Sequence, residues 1–145
     1  MKDATTGRLD GILSEVNSVK SAEDYIKEYA GDRYEGFSDF FQEYLEREGV
    51  RKSDVVRRCA LNKNYVYQII RGVRKPSRDK VLALCIGAGM NYTMTNRALK
   101  LSGWNPLYPK DERDVRIGIC INMGNFNVTD VNLVLEEHGL DLIAV

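Results

Sequence analysis

The sequence predicts an all-α fold, on three observations. Apolar residues recur at three- and four-residue spacing in the patterned segments, no segment sustains the period-2 alternation of a half-buried strand, and Asn, Ser and Gly fall where short helices would start and stop. With 145 residues, 43% of them hydrophobic, the chain is long enough for one ordinary core and an appendage. No run of about 18 apolar residues occurs, and the first residues, MKDATTGRLDG, lack the apolar centre of a secretory signal. The expectation is therefore a soluble cytoplasmic protein without a membrane partner. Cys59, Cys85 and Cys120 are odd in number and widely spaced, which points to reduced thiols rather than a disulfide framework.

Residues 8–20 place Leu9, Ile12, Leu13, Val16 and Val19 on one helical stripe. Ser21 offers an N-cap oxygen with Asp24 three positions on, opening a second short helix that carries Tyr25, Ile26 and Tyr29 inward and stops near Gly31. Residues 1–36 thus read as an N-terminal helical segment, packed on the main domain or paired with its equivalent in another subunit. From Ser38 the pattern strengthens. Phe40, Phe41, Tyr44 and Leu45 mark a first core helix ended by Gly49, and Ser53, Val55, Val56 and Cys59 mark a second of about two turns. Asn62 caps a third, with Tyr65, Val66, Ile69 and Ile70 assigned to the core, and Arg71-Gly72 ends it. Pro76 fixes the next loop, and Ser77, Asp79 and Lys80 open a fourth helix containing Val81, Leu82, Leu84, Cys85 and Ile86.

Beyond Gly89 the chain repeats itself. RDKVLALCIGAG (78–89) aligns with RDVRIGICINMG (113–124) at an offset of 35, and, with one residue inserted, NYTMTNRALKLSG (91–103) aligns with NVTDVNLVLEEHG (127–139). Ten identities over 25 positions, each copy with a capping Asn (Asn91, Asn127) and a terminal Gly (Gly103, Gly139), indicate one helical hairpin used twice. Two copies are too few for a free-standing solenoid, so the second hairpin, residues 105–145, is expected to stack on the 37–104 domain, with the Trp104 to Pro109 connector sealing the joint.

Charge is unevenly distributed along a chain of zero formal net charge. Residues 51–80 hold ten Lys or Arg against Asp54 and Asp79, a local net of +8, so the remainder sums to −8. A basic patch with acidic flanks suits a polyanion and would steer it. Within that patch, Lys63, Asn64, Tyr67, Gln68 and Arg71 fall on the face of the third helix opposite Val66 and Ile69. Asn or Gln can pair bidentately with adenine, and Lys or Arg can reach the guanine acceptors. Arg57 and Arg58 either join the patch or solvate the outer face of the second helix.

At these residues the sequence resembles the lambda-repressor/Cro-like family of XRE-type helix-turn-helix regulators, over about residues 38–103. The resemblance rests on the hydrophobic spacing from Val55 through Ile69 and on the exit Arg71-Gly72-Val73-Arg74-Lys75-Pro76-Ser77, which is similar to the family's Asn-Gly-Lys-Arg-Lys-Pro-Ser ending. It implies a five-helix core with its third helix in the major groove of double-stranded DNA. Lys63, Asn64, Tyr67 and Gln68 would read bases, and Lys52, Arg71, Arg74, Lys75 and Ser77 would hold phosphates. Three residues depart from the family pattern: Lys52 replaces the common Gln, Val56 a preferred Ala and Ala60 the usual turn Gly. Val56 is expected to widen the helix packing, and Ala60 to cost up to about 1 kcal/mol if its φ is positive.

The resulting expectation is a bacterial, sequence-specific DNA-binding transcriptional regulator that acts as a homodimer on a palindrome. The alternative is a protein-interaction adaptor or antitoxin-like partner on the same fold, binding a protein through its N- or C-terminal helices. No enzyme is expected, because catalytic groups with plausible mutual placement are missing, and no cofactor is implied. A zinc site would have to gather Cys59, Cys85, Cys120 and His138, whose spacing matches no compact motif.

Overall fold

The apolar run at residues 81–86 becomes the central helix of the structure. The computed structural model describes residues 36–143, all within one unit, Gly36–Val145, into which the chain divides after residue 35. The expected helices over residues 8–20 and 21–31 lie outside the described residues. Those described form α1 (Phe37–Glu48), α2 (Lys52–Cys59), α3 (Lys63–Ile70), α4 (Arg78–Ala88), α5 (Tyr92–Leu101), α6 (Glu112–Asn122) and α7 (Val128–Glu137). Among them there is no strand, and no helix is long and apolar enough to cross a membrane.

Every residue of α4 from Val81 to Ala88 is buried, so this helix is apolar all round and other helices must cover each of its faces. Helices α2, α5 and α7 pack on it. The approach of α2 is close: a Cβ built on Gly87 would lie 3.1 Å from both the Cys59 Cβ and the Val55 carbonyl oxygen. Val55 and Cys59 are fully buried, whereas Val56 is half-buried and holds its extra bulk at the margin of the contact. From the other side α1 contributes Phe40 and Phe41, both buried, and packs on α3 and α5. Ser38 and Gln42 of α1 donate hydrogen bonds to the Ile70 carbonyl, satisfying the C-terminal end of α3.

Cap chemistry sets the helix ends. Asn62, Asn91 and Asn127 accept backbone N–H bonds at 2.9, 2.8 and 2.9 Å, and Ser77 accepts from the Lys80 N–H at 3.4 Å. Asp111 caps α6 in the same way, through the Asp114 N–H at 2.9 Å.

The repeated hairpins, α4–α5 and α6–α7, pair reciprocally. Arg78 of the first makes a bidentate ion pair with Asp114 of the second at 3.1 and 2.9 Å, and Arg113 of the second makes one with Asp79 of the first at 3.2 and 3.1 Å. The matching extends to the backbone. Arg78 donates to the carbonyls of Asn105 and Pro106, and Arg113 to those of Asp141 and Leu142. Asn96 accepts from the Leu107 N–H at 2.9 Å, and Asn132 from the Ile143 N–H at 2.7 Å. Likewise α4 packs on α7 as α5 packs on α6. The ion pairs and the helix packing return contact i to j as its repeat equivalent j to i, the pattern of a twofold interface inside one chain, while the carbonyl and Asn bonds are one contact made alike in each copy.

Candidate functional site

The basic patch is built on α3 and the segments at its two ends. Ala60 ends α2 in the left-handed region at φ 58 and ψ 23, and Asn62, two residues on, caps α3. This short turn leaves Val66, Ile69 and Ile70 buried, with Lys63 and Asn64 exposed on the first turn and Tyr67 and Gln68 half-buried on the next. Past the helix, Gly72 takes φ 77, and its missing Cβ would lie 3.3 Å from the Ser38 hydroxyl. The chain thereby turns sharply and exposes Val73, Arg74 and Lys75, while Pro76 is buried.

Side chains within the patch order one another. Arg74 donates from Nε to Gln68 Oε1 at 3.0 Å, and its guanidinium carbon lies 4.9 Å from the centre of the Tyr65 ring. The Lys80 ammonium lies 5.0 Å from the same ring, and that of Lys63 5.8 Å from the Tyr67 ring. Tyr65, assigned from its spacing to the core, is half-buried and holds two cations against its ring. Its position between the apolar and polar stripes of α3 was the only sign of this in the sequence. Behind the loop, Trp104 donates from Nε1 to the Pro76 carbonyl at 3.1 Å, so the connector between the hairpins braces the basic loop. Ser77 is exposed, with its hydroxyl oxygen in the α4 cap. Lys52 stands apart at the start of α2, beside a cleft of about 140 Å³ lined by Gln42, Leu45, Glu46 and Val50.

Ion pairing separates the ten basic residues into two groups. Arg51, Arg57 and Arg58 surround Asp54 at 3.3, 3.1 and 3.9 Å, and Arg78 turns inward to Asp114. The Arg51 hydrogen bond, followed by the nearby arginine charges, holds the Asp54 carboxyl below its usual range. Arg57 and Arg58 thus belong to this arginine cluster around Asp54. Among the described residues Lys52, Lys63, Arg71, Arg74, Lys75 and Lys80 have no carboxylate partner, and all but Lys52 lie on α3, in the loop after it or on the first turn of α4. Such a group of unneutralised cations can bind a polyanion. The three thiols are buried, and desolvation pushes each one up from its ordinary pKa, which makes them poor nucleophiles. Comparison with known proteins finds no family model, curated protein or solved structure that matches this chain.

Proposed function

We propose that the chain is a sequence-specific DNA-binding transcriptional regulator of the lambda-repressor/Cro-like type, with α2 and α3 as its helix-turn-helix and α1–α5 as the five-helix core. The observation that carries this reading is the set of cations on α3 and its flanking loop that have no carboxylate partner among the described residues, while Arg78 is paired with Asp114 and Arg51, Arg57 and Arg58 share the one carboxylate of Asp54. In this reading α3 lies in the major groove, and Lys63, Asn64, Tyr67 and Gln68 meet base edges. Lys52, Arg71, Arg74 and Lys75 contact phosphates on either side, with the Ser77 hydroxyl as a further donor.

The Gln68–Arg74 hydrogen bond gives the reading residues a defined orientation. With Oε1 turned to Arg74 Nε, Gln68 keeps its amide N–H groups for a purine N7 or O6, and the second lone pair of Oε1 remains for an adenine N6–H. Arg74 still has both terminal nitrogens for a phosphate. One side chain therefore joins the phosphate contact to the base contact.

Titration of duplex fragments across a salt series tests this. Four cationic phosphate contacts predict a log–log slope of about −3 to −4 per module. Lys75→Ala is expected to weaken all sequences alike and to reduce the slope magnitude by about 1. Gln68→Ala is expected to lose about 1–3 kcal/mol of discrimination at one base position. A flat salt dependence in the wild-type chain would exclude the phosphate contacts and leave the protein-adaptor reading.

A further inference from the structure

Arg51, Arg57, Arg58 and Arg78 are set against carboxylates, whereas Lys63, Arg74 and Lys80, which have no carboxylate partner among the described residues, are set against tyrosine rings. The difference matters to a polyanion. A carboxylate that fixes a cation also neutralises it and competes with an incoming phosphate. The face of an aromatic ring attracts a cation through its quadrupole but carries no net charge, so the cation is held with its charge still available. Tyr65 does this for two cations brought from different elements. Its half-buried ring stands on α3, with the Arg74 guanidinium carbon, from the loop after α3, 4.9 Å from its centre and the Lys80 ammonium, from the first turn of α4, 5.0 Å from it. Each cation is also fixed from a second side. Gln68, one turn beyond Tyr65 on α3, accepts from Arg74 Nε at 3.0 Å and leaves both terminal nitrogens for a ligand. The Lys80 backbone N–H donates to the Ser77 hydroxyl oxygen at 3.4 Å, which fixes the turn that carries its side chain.

Building on the proposed DNA-binding function, we propose that Tyr65 is a positioning residue: its ring gathers Arg74 and Lys80 into one two-cation seat for backbone phosphates. Lys80 thereby becomes a phosphate contact in addition to those on α2, on α3 and in its loop. Two like charges on flexible stems repel each other, and ordering them on binding costs side-chain entropy. The ring does part of that ordering in the free protein, and the arriving phosphates relieve the repulsion that remains. Tyr65 acts here through the two cations and itself touches no nucleic acid.

Anisotropy titration of a mixed-sequence duplex with the full chain, repeated across a salt series, tests this. Tyr65→Leu removes the ring and should weaken binding about threefold to tenfold at low salt, alike on every duplex. Tyr65→Phe keeps the ring and should stay within about twofold of the wild type. Lys80→Gln should reduce the magnitude of the salt slope by about 1. A cycle separates positioning from mere support of the fold. In a chain already carrying Arg74→Ala and Lys80→Gln, Tyr65→Leu should cost almost nothing further, whereas damage to the fold would persist in full. Should Tyr65→Leu fold poorly, Tyr65→Gln, polar and unbranched, takes its place in the series. Wild-type affinity without the ring, an undiminished loss in the doubly substituted chain, or an unchanged slope in Lys80→Gln would each overturn the proposal. With a steep wild-type slope those results leave the DNA-binding function intact; a flat wild-type slope removes both.

Discussion

Ala60 is the one described residue other than glycine with positive φ, and it sits at the turn that sets the angle between α2 and α3. An L side chain in the left-handed region crowds its own backbone, and nothing about Ala relieves this strain. Ala60→Gly is therefore expected to stabilise the protein by up to about 1 kcal/mol, the steric relief exceeding the entropy that glycine loses on folding. Urea unfolding checks this as a higher midpoint at unchanged slope. The sequence singled out the position because a glycine is usual there, but whether φ is positive depends on the turn that actually forms. Tyr65 shows the converse. Periodicity places it correctly beside Val66 and Ile69, yet Arg74 and Lys80 reach its ring from a loop and a later helix, contacts that spacing along one helix does not encode.

Helix ends were the most legible elements, because a capping Asn or Ser and a stop glycine act within one turn of their own position. Asn62, Ser77, Asn91 and Asn127 all cap the helices their sequence context predicts, although Asp111 does the same without having been recognised. Close approach between helices was not legible. Gly87 lies in an apolar run, where only the fold reveals that α2 crosses it. Adding a methyl there would meet the Val55 carbonyl oxygen and the Cys59 amide nitrogen at 3.1 and 3.2 Å, backbone atoms that cannot rotate away. Gly87→Ala should therefore lose about 1–2 kcal/mol, overpacking outweighing the better helix propensity of Ala. Gly118→Ala is the control. Its nearest neighbour is an edge carbon of the half-buried Tyr92 ring at 3.1 Å, which can swing aside, so the change should be close to neutral. Parallel urea titrations of the two variants measure the difference.

At the scale of the whole molecule, the repeat was visible as ten identities, but the reason for its Arg-Asp dipeptides was not. Equivalent residues in one chain could each pair within their own hairpin. Instead each Arg reaches the Asp of the other copy, joining the hairpins through two bidentate ion pairs, while it also donates to two backbone carbonyls just past the end of its own hairpin. The Arg78 pair also bears on the basic loop, since Arg78 follows Ser77 directly and grips the connector whose Trp104 braces Pro76. A double-mutant cycle between Arg78→Ala and Asp114→Ala should give a coupling energy of about 1–3 kcal/mol. Asp114→Asn alone should destabilise by about 2–3 kcal/mol, less than for a fully buried pair, because Arg78 keeps 24% of its side-chain surface in water. On the proposed DNA-binding function, and with the second hairpin holding the loop that carries Arg74 and Lys75, Asp114→Asn is also expected to weaken binding evenly across sequences. Gln68→Ala would instead alter preference at one position, so titrating both variants against the same panel of duplexes separates bracing of the loop from reading of the bases.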